Sequence, residues 1–237
     1  FKLSKIFDKK SVVYGTILGV VLFGSFVAQT YALKLTFSSS VAFITGLECV
    51  IVPFMTALIF KNKITIFAIL GALIAIFGLW LLSGATLALG SGEALALLCA
   101  IFYALYTSLN GHFVRKCELY LLVFVVFLTV SLLSFVFAFI EGSVVPNYDR
   151  EFFIAIFITA FIGTIFCYFV QTIAQRYTTA SKAALFFCLE PVSAGFIGYF
   201  FADEMLTLIQ IFGAILIIFG VIFSEFGKKF FSRSKLT

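Results

Sequence analysis

The sequence predicts an all-α polytopic membrane protein, and three observations carry that prediction. Hydrophobic residues make up 63% of the 237-residue chain, charged residues only 11%, and the mean hydropathy is +1.19. A soluble domain needs about a quarter of its residues charged to cover its surface. The apolar residues fall in blocks of about twenty, the length at which a helix crosses the hydrocarbon core of a bilayer. The third observation is a long internal repeat, described below.

Apolar blocks between charged or Gly/Ser/Pro breaks give eight spans, at 12–33, 38–60, 64–82, 92–114, 119–140, 152–175, 180–201 and 206–226. Span one follows FKLSKIFDKK and stops at Lys34; span two stops at Lys61–Asn62–Lys63. Span three runs into Ser83–Gly84, and span four ends at Arg115–Lys116. Spans five and six flank EGSVVPNYDRE, residues 141–151, the only long connection. Asp203 and Glu204 separate spans seven and eight. Short connections force neighbouring helices to run antiparallel.

The charges then acquire a geometric meaning. With FKLSKIFDKK on the cytoplasmic side and every span reversing direction, cytoplasmic ends collect fourteen of the sixteen Lys and Arg residues, all but Lys34 and Arg150. That is a strong positive-inside bias, and a missed span would scramble it. The net charge of +5 is therefore read as topology, with no nucleic-acid partner. The expected location is the cytoplasmic (inner) membrane of a bacterium, multi-pass, with the C-terminus cytoplasmic. Five cysteines (Cys49, Cys99, Cys117, Cys167, Cys188) stand singly without a CxxC, and are expected to be small packing residues rather than a zinc site or a disulfide framework.

Sliding the chain against itself by 142 residues aligns Gln29–Trp80 with Gln171–Ile222 without a gap, identical at 17 of 52 positions. QTYALKLTFSSSVAFITGLECV lies over QTIAQRYTTASKAALFFCLEPV, and the pairs include Glu48 with Glu190, Gly71 with Gly213 and Gly78 with Gly220. Spans one to three thus correspond to spans six to eight. The shift is five helices, an odd number, so the two copies are expected to run in opposite senses, a plan common among secondary transporters. Spans four and five have no earlier counterparts, and the chain begins at Phe rather than Met. The expectation is an eight-helix remnant of a five-plus-five, ten-helix bundle lacking its first two helices. Residues 1–83 would close the first repeat, 90–226 form the second, and 227–237 a basic cytoplasmic tail.

These stretches resemble the EamA-type transporters of the drug/metabolite transporter superfamily. Ala180–Glu225 is similar to the closing two helices of such proteins, and Gly92–Lys116 to the helix opening a second repeat. The resemblance implies ten helices in two inverted five-helix repeats, and movement of a small metabolite through a cavity lined by both. The chain departs from the pattern where Asp203–Glu204 is matched by Lys61–Asn62, and where Pro191 is matched by Cys49, with Pro53 four residues later.

Glu48 and Glu190 each stand near the centre of a span, where an acid costs about 2.5–3.5 kcal/mol on insertion scales. One reading is a cavity-facing group that binds a polar substrate or exchanges a proton; the other is a neutral carboxyl bonded between helices. Polar stripes at three- and four-residue spacing accompany them: Ala100, Tyr103, Thr107 and Asn110 on span four, Thr164, Tyr168, Gln171 and Gln175 on span six, Thr45 and Glu48 on span two. Glu48, Glu190, Tyr103, Tyr168, Gln171, Thr45 and Asn110 are the substrate-site candidates. Gln29, Pro53 and Pro191 are candidate gates and hinges. The glycines at seven-residue spacing are read as faces for close helix approach.

No HExxH, intramembrane Asp or midplane His offers an enzyme's catalytic set, and no GxxxxGK[ST] offers direct ATP drive. A secondary transporter moving a small metabolite such as an amino acid by alternating access accounts for the repeat, the acids and the stripes together. It would need a lipid bilayer and a small-molecule substrate, and neither metal nor cofactor. The alternative is a non-transporting membrane protein that uses its small-residue faces for interaction.

Overall fold

The computed structural model describes residues 8–36, 38–61, 64, 66–82, 90–142, 149–180, 183, 187 and 207–233, and every element among them is a helix. In chain order these are α1 (Lys9–Leu35), α2 (Ser38–Thr45), α3 (Glu48–Phe60), α4 (Ile66–Leu82), α5 (Ser91–Phe113), α6 (Leu119–Glu141), α7 (Arg150–Tyr177) and α8 (Leu208–Arg233). Four of them, α1, α5, α6 and α7, are long and apolar enough to cross a membrane. Span seven falls almost wholly outside the described residues.

The helix ends follow from short polar residues. Asp8 caps α1, accepting from the backbone N–H of Lys10 at 3.2 Å and of Ser11 at 3.3 Å, and from the Ser11 hydroxyl at 2.9 Å. Glu118 caps α6 through Leu121 N–H at 2.6 Å, and Asp149 caps α7 through Phe152 N–H at 2.8 Å. Thr207 and Gln210 form a reciprocal capping box at the start of α8. Each satisfies backbone donors that a helix start leaves without intrahelical partners. α6 stops at Gly142, whose φ of 65° favours a residue without a Cβ.

The helices pack as two compact units, Phe1–Phe23 with Leu109–Thr179, and Gly24–Ser108 with Ala180–Thr237; α1 and α5 each contribute to both. In the first unit, Gly15 and Gly19 bring α1 against α6: a Cβ on Gly15 would lie 2.8 Å from the Val125 side chain. Tyr14 stacks on Phe113 at 4.2 Å, and Glu118 N–H donates to Ser11 Oγ at 3.0 Å. Residues Ile158–Phe166 of α7 form a wider π-helical stretch, in which the Thr164 hydroxyl donates five residues back to Thr159 O at 2.9 Å.

In the second unit, α4 and α8 cross through glycine. A Cβ on Gly78 would meet Gly213 O at 2.7 Å, and one on Gly220 would meet Gly71 O at 2.7 Å. Two contacts whose order reverses along the second helix make the pair antiparallel. Without water to squeeze out, such backbone approach gains its stability from van der Waals contact. Beside the crossing lies a small-residue core of Cys49, Val50, Val52, Ala72, Ala75, Ala104 and Ile217.

Two readings of the sequence need correction. Span two is not one uninterrupted helix with Glu48 at its middle. It breaks at Gly46–Leu47, and Glu48 opens the second piece. Nor are all five cysteines simple packing residues. Cys49 is disulfide-bonded, with its partner outside the described residues, while Cys99, Cys117 and Cys167 are free. Cys117, buried in the turn between α5 and α6, has its thiol pushed above the ordinary range by burial, which keeps it unreactive.

Candidate functional site

The break before Glu48 has a local cause. The Thr45 hydroxyl donates back to Val41 O at 2.9 Å and Ala42 O at 3.1 Å, a habit that bends helices. Gly46 follows, and the chain tightens into three-residue bonds: Leu47 N–H to Ile44 O at 3.1 Å, Cys49 N–H to Gly46 O at 3.3 Å and Val50 N–H to Leu47 O at 3.0 Å. Pro53, inside α3, has no N–H to return to Cys49 O. Glu48 thus stands in the first turn of a half-helix, where the backbone's positive end favours an oxygen acceptor.

α5 supplies the partners. Its Thr107 hydroxyl, fully buried, donates to Glu48 Oε1 at 2.7 Å. One turn earlier, Tyr103 Oη donates to Gln29 Oε1 of α1 at 3.1 Å, with the Tyr103 ring edge-on to Phe26. One residue later, Ser108 Oγ accepts from Thr56 Oγ1 of α3 at 3.0 Å. Glu48, Gln29 and Tyr103 are half-buried. Three residues of α5 therefore join it to α1 and α3 through polar contacts within the second unit. A carboxylate with a hydroxyl donor and an amide paired with a phenol are groups that can exchange partners with a polar solute.

These helices have known relatives. A model of the EamA-like transporter family matches residues 1–84 and 90–226. The chain belongs to this family. An "uncharacterized transporter" of Archaeoglobus fulgidus is 30% identical over 205 residues, 86% of this chain and 66% of that protein, so the match spans slightly under two thirds of the relative's length. A solved crystal structure superposes with a TM-score of 0.70 at 16% identity, covering 91% of this chain and 85% of that one, a likeness of fold. The EamA-like chain is a multi-pass membrane protein.

The other candidates have different surroundings. Asn110, on the same stripe of α5, belongs to the first unit of the EamA-like fold. Its Nδ2 donates to Thr172 Oγ1 at 3.2 Å and Gln175 Oε1 at 2.6 Å of α7. Thr172 in turn donates to Tyr168 O at 2.8 Å. Tyr168 and Gln171 are half-buried on α7, and Thr45 turns its hydroxyl onto its own helix. Glu190 and Pro191 lie outside the described residues. Thr56, Ser108 and Thr172 were not singled out from the sequence. Helical spacing from Glu48 and Tyr168 is a signal for Thr56 and Thr172, whereas Ser108, next to Thr107, lies off that face; which partner each meets depends on helix packing.

Proposed function

We propose that this chain forms part of a secondary transporter that moves a small metabolite, such as an amino acid or a related compound, across a cytoplasmic membrane by alternating access. The observation that carries the reading is the Glu48–Thr107 pair, an acid at the start of a broken helix inside an apolar bundle. Discontinuous helices with half-helix ends at the binding site are how transporter folds hold polar groups at membrane depth. Family membership adds its weight, as does the name of the archaeal relative.

The α4–α8 crossing supports the inverted duplication behind this mechanism. The 142-residue offset carries Gly71 onto Gly213 and Gly78 onto Gly220. Applied to the Gly78–Gly213 contact, with the copies exchanged, it yields Gly220–Gly71, the second observed contact. Contacts that interchange under the duplication, between antiparallel helices, are those of a two-fold axis perpendicular to the helices. In this reading Glu48 binds the substrate's polar group, Gln29 and Tyr103 gate it, Pro53 supplies flexibility, and Glu190 repeats the role of Glu48.

The test is transport by the full-length protein in proteoliposomes, screened over amino acids and other small metabolites with and without a pH gradient. Saturable, counterflow-competent movement of one class is the expected result. Failure of every class to move, in protein verified as folded, would favour the non-transporting alternative.

A further inference from the structure

We propose that the rim of the first unit carrying Lys9, Lys10, Arg115, Lys116 and Arg176 is a binding surface for the headgroups of anionic phospholipids. Three separate segments supply these cations, and specific contacts bring them together. Ser11 Oγ, next to Lys10, accepts from Glu118 N–H at 3.0 Å and fastens the first turn of α1 to the α5–α6 turn. The Tyr14–Phe113 stack holds the same two segments one turn further in. Arg115 Nη2 donates to Thr178 O at 2.6 Å, which ties that turn to the end of α7, where Arg176 stands.

All five cations are exposed. The acids beside them, Asp8 and Glu118, are engaged as helix caps, accepting from Lys10 and Ser11 N–H and from Leu121 N–H. Five cations against two carboxylates leave a local excess of three positive charges. Arg115 uses one of its guanidinium donors on Thr178, and the planar fork that remains suits a phosphodiester. Tyr120 and Tyr177, 68% and 83% exposed, border the rim with the residue type enriched at headgroup depth. The surface lies at the ends of apolar helices that themselves occupy a bilayer, so a headgroup is the anion within reach. The proposal does not depend on any transported substrate.

The experiment uses the full-length protein in nanodiscs of phosphatidylcholine with and without phosphatidylglycerol, read by lipid retention in native mass spectrometry and by thermal unfolding. Phosphatidylglycerol should be retained and should raise the melting temperature, less so at high salt. Neutralising each rim cation should weaken retention about five-fold, so Arg115→Gln, Lys116→Gln and Arg176→Gln together should abolish it. Lys9→Gln with Lys10→Gln leaves the Arg115 bond intact and should weaken retention without unfolding the rim. Lys34→Gln, in the other unit, should leave retention unchanged. Equal retention of phosphatidylcholine, or wild-type retention by both rim variants, would overturn the proposal.

Discussion

Polar residues on one stripe of α5 end in two kinds of surroundings. Tyr103 and Thr107 reach half-buried partners, Gln29 and Glu48. Asn110, at 1% exposure, is sealed against Thr172 and Gln175, at 2% and 0%. The residue types and the helical spacing are alike; the access differs. A sealed cluster fixes helices against each other, because its groups are buried away from any solute. A half-open pair can release its partner to a solute. Even the sealed cluster is imperfect, since Asn110 Oδ1 has no hydrogen-bond partner among the described residues. A buried polar atom in that condition costs about 1–3 kcal/mol.

The contrast makes its largest prediction at Glu48. Glu48→Gln keeps the shape but removes the acid, and a hydrogen bond to a charged substrate group is worth about 1.5–3 kcal/mol. Transport by the full-length protein should fall about 10- to 100-fold, with the melting temperature little changed. Wild-type transport by this variant would put Glu48 in the same structural class as Asn110. Asn110→Ala should do the reverse. It strips the donor from Gln175 Oε1 and Thr172 Oγ1, and should cost about 1–3 kcal/mol of stability, read by thermal unfolding, without changing transport per folded molecule. Asn110→Leu combined with Gln175→Leu should recover part of that loss, because Gln175 Oε1 goes with its donor and the Thr172 hydroxyl still donates to Tyr168 O. A transport defect that persists in the stable double variant would break the distinction.

How much of this was legible in the sequence depends on the distance over which each feature is decided. Helices α1, α5, α6 and α7 were readable because twenty apolar residues between charges determine them locally. The glycine crossing was readable in part: seven-residue spacing announced a close-packed face, though not that Gly78 would meet Gly213. The break at Gly46 was carried by Thr45–Gly46, but an otherwise unbroken apolar run masked it. Tyr103 and Gln29 were read as a cavity lining and a gate, and the structure joins them by one hydrogen bond. Stripe periodicity gives the face of a helix. It does not give the partner, which is why Asn110 and Thr107, three residues apart, were assigned one environment and have two.

Tyr103→Phe sharpens the half-open side with a smaller effect. It removes the 3.1 Å bond to Gln29 and keeps the ring against Phe26. Interhelical hydrogen bonds in membranes average about 0.6 kcal/mol, so thermal stability should drop by about that much. A loss several times larger would mean that this contact is structural, like the sealed cluster.

Asp8 extends the comparison to a half-buried carboxyl at a helix start outside the spans, where the smallest effect is expected. The Ser11 hydroxyl, followed by the backbone N–H groups of Lys10 and Ser11, holds its carboxyl below the ordinary value of 3.8. A carboxyl whose folded pKa is depressed contributes stability that is full above its unfolded value. That contribution disappears as pH falls through the lower, folded value. The first turn of α1 should therefore be more protected in the wild type than in Asp8→Asn at any pH well above 3.8, and the two should converge in stronger acid. Hydrogen-exchange protection factors for residues 9–13 measure this directly. Convergence would place Asp8 as a charge-dependent cap whose influence stops within one turn. A difference that survives unchanged at the acid end would mean the contact acts through shape alone, and that exposure does not grade the polar groups of this bundle in the way Asn110 and Glu48 suggest.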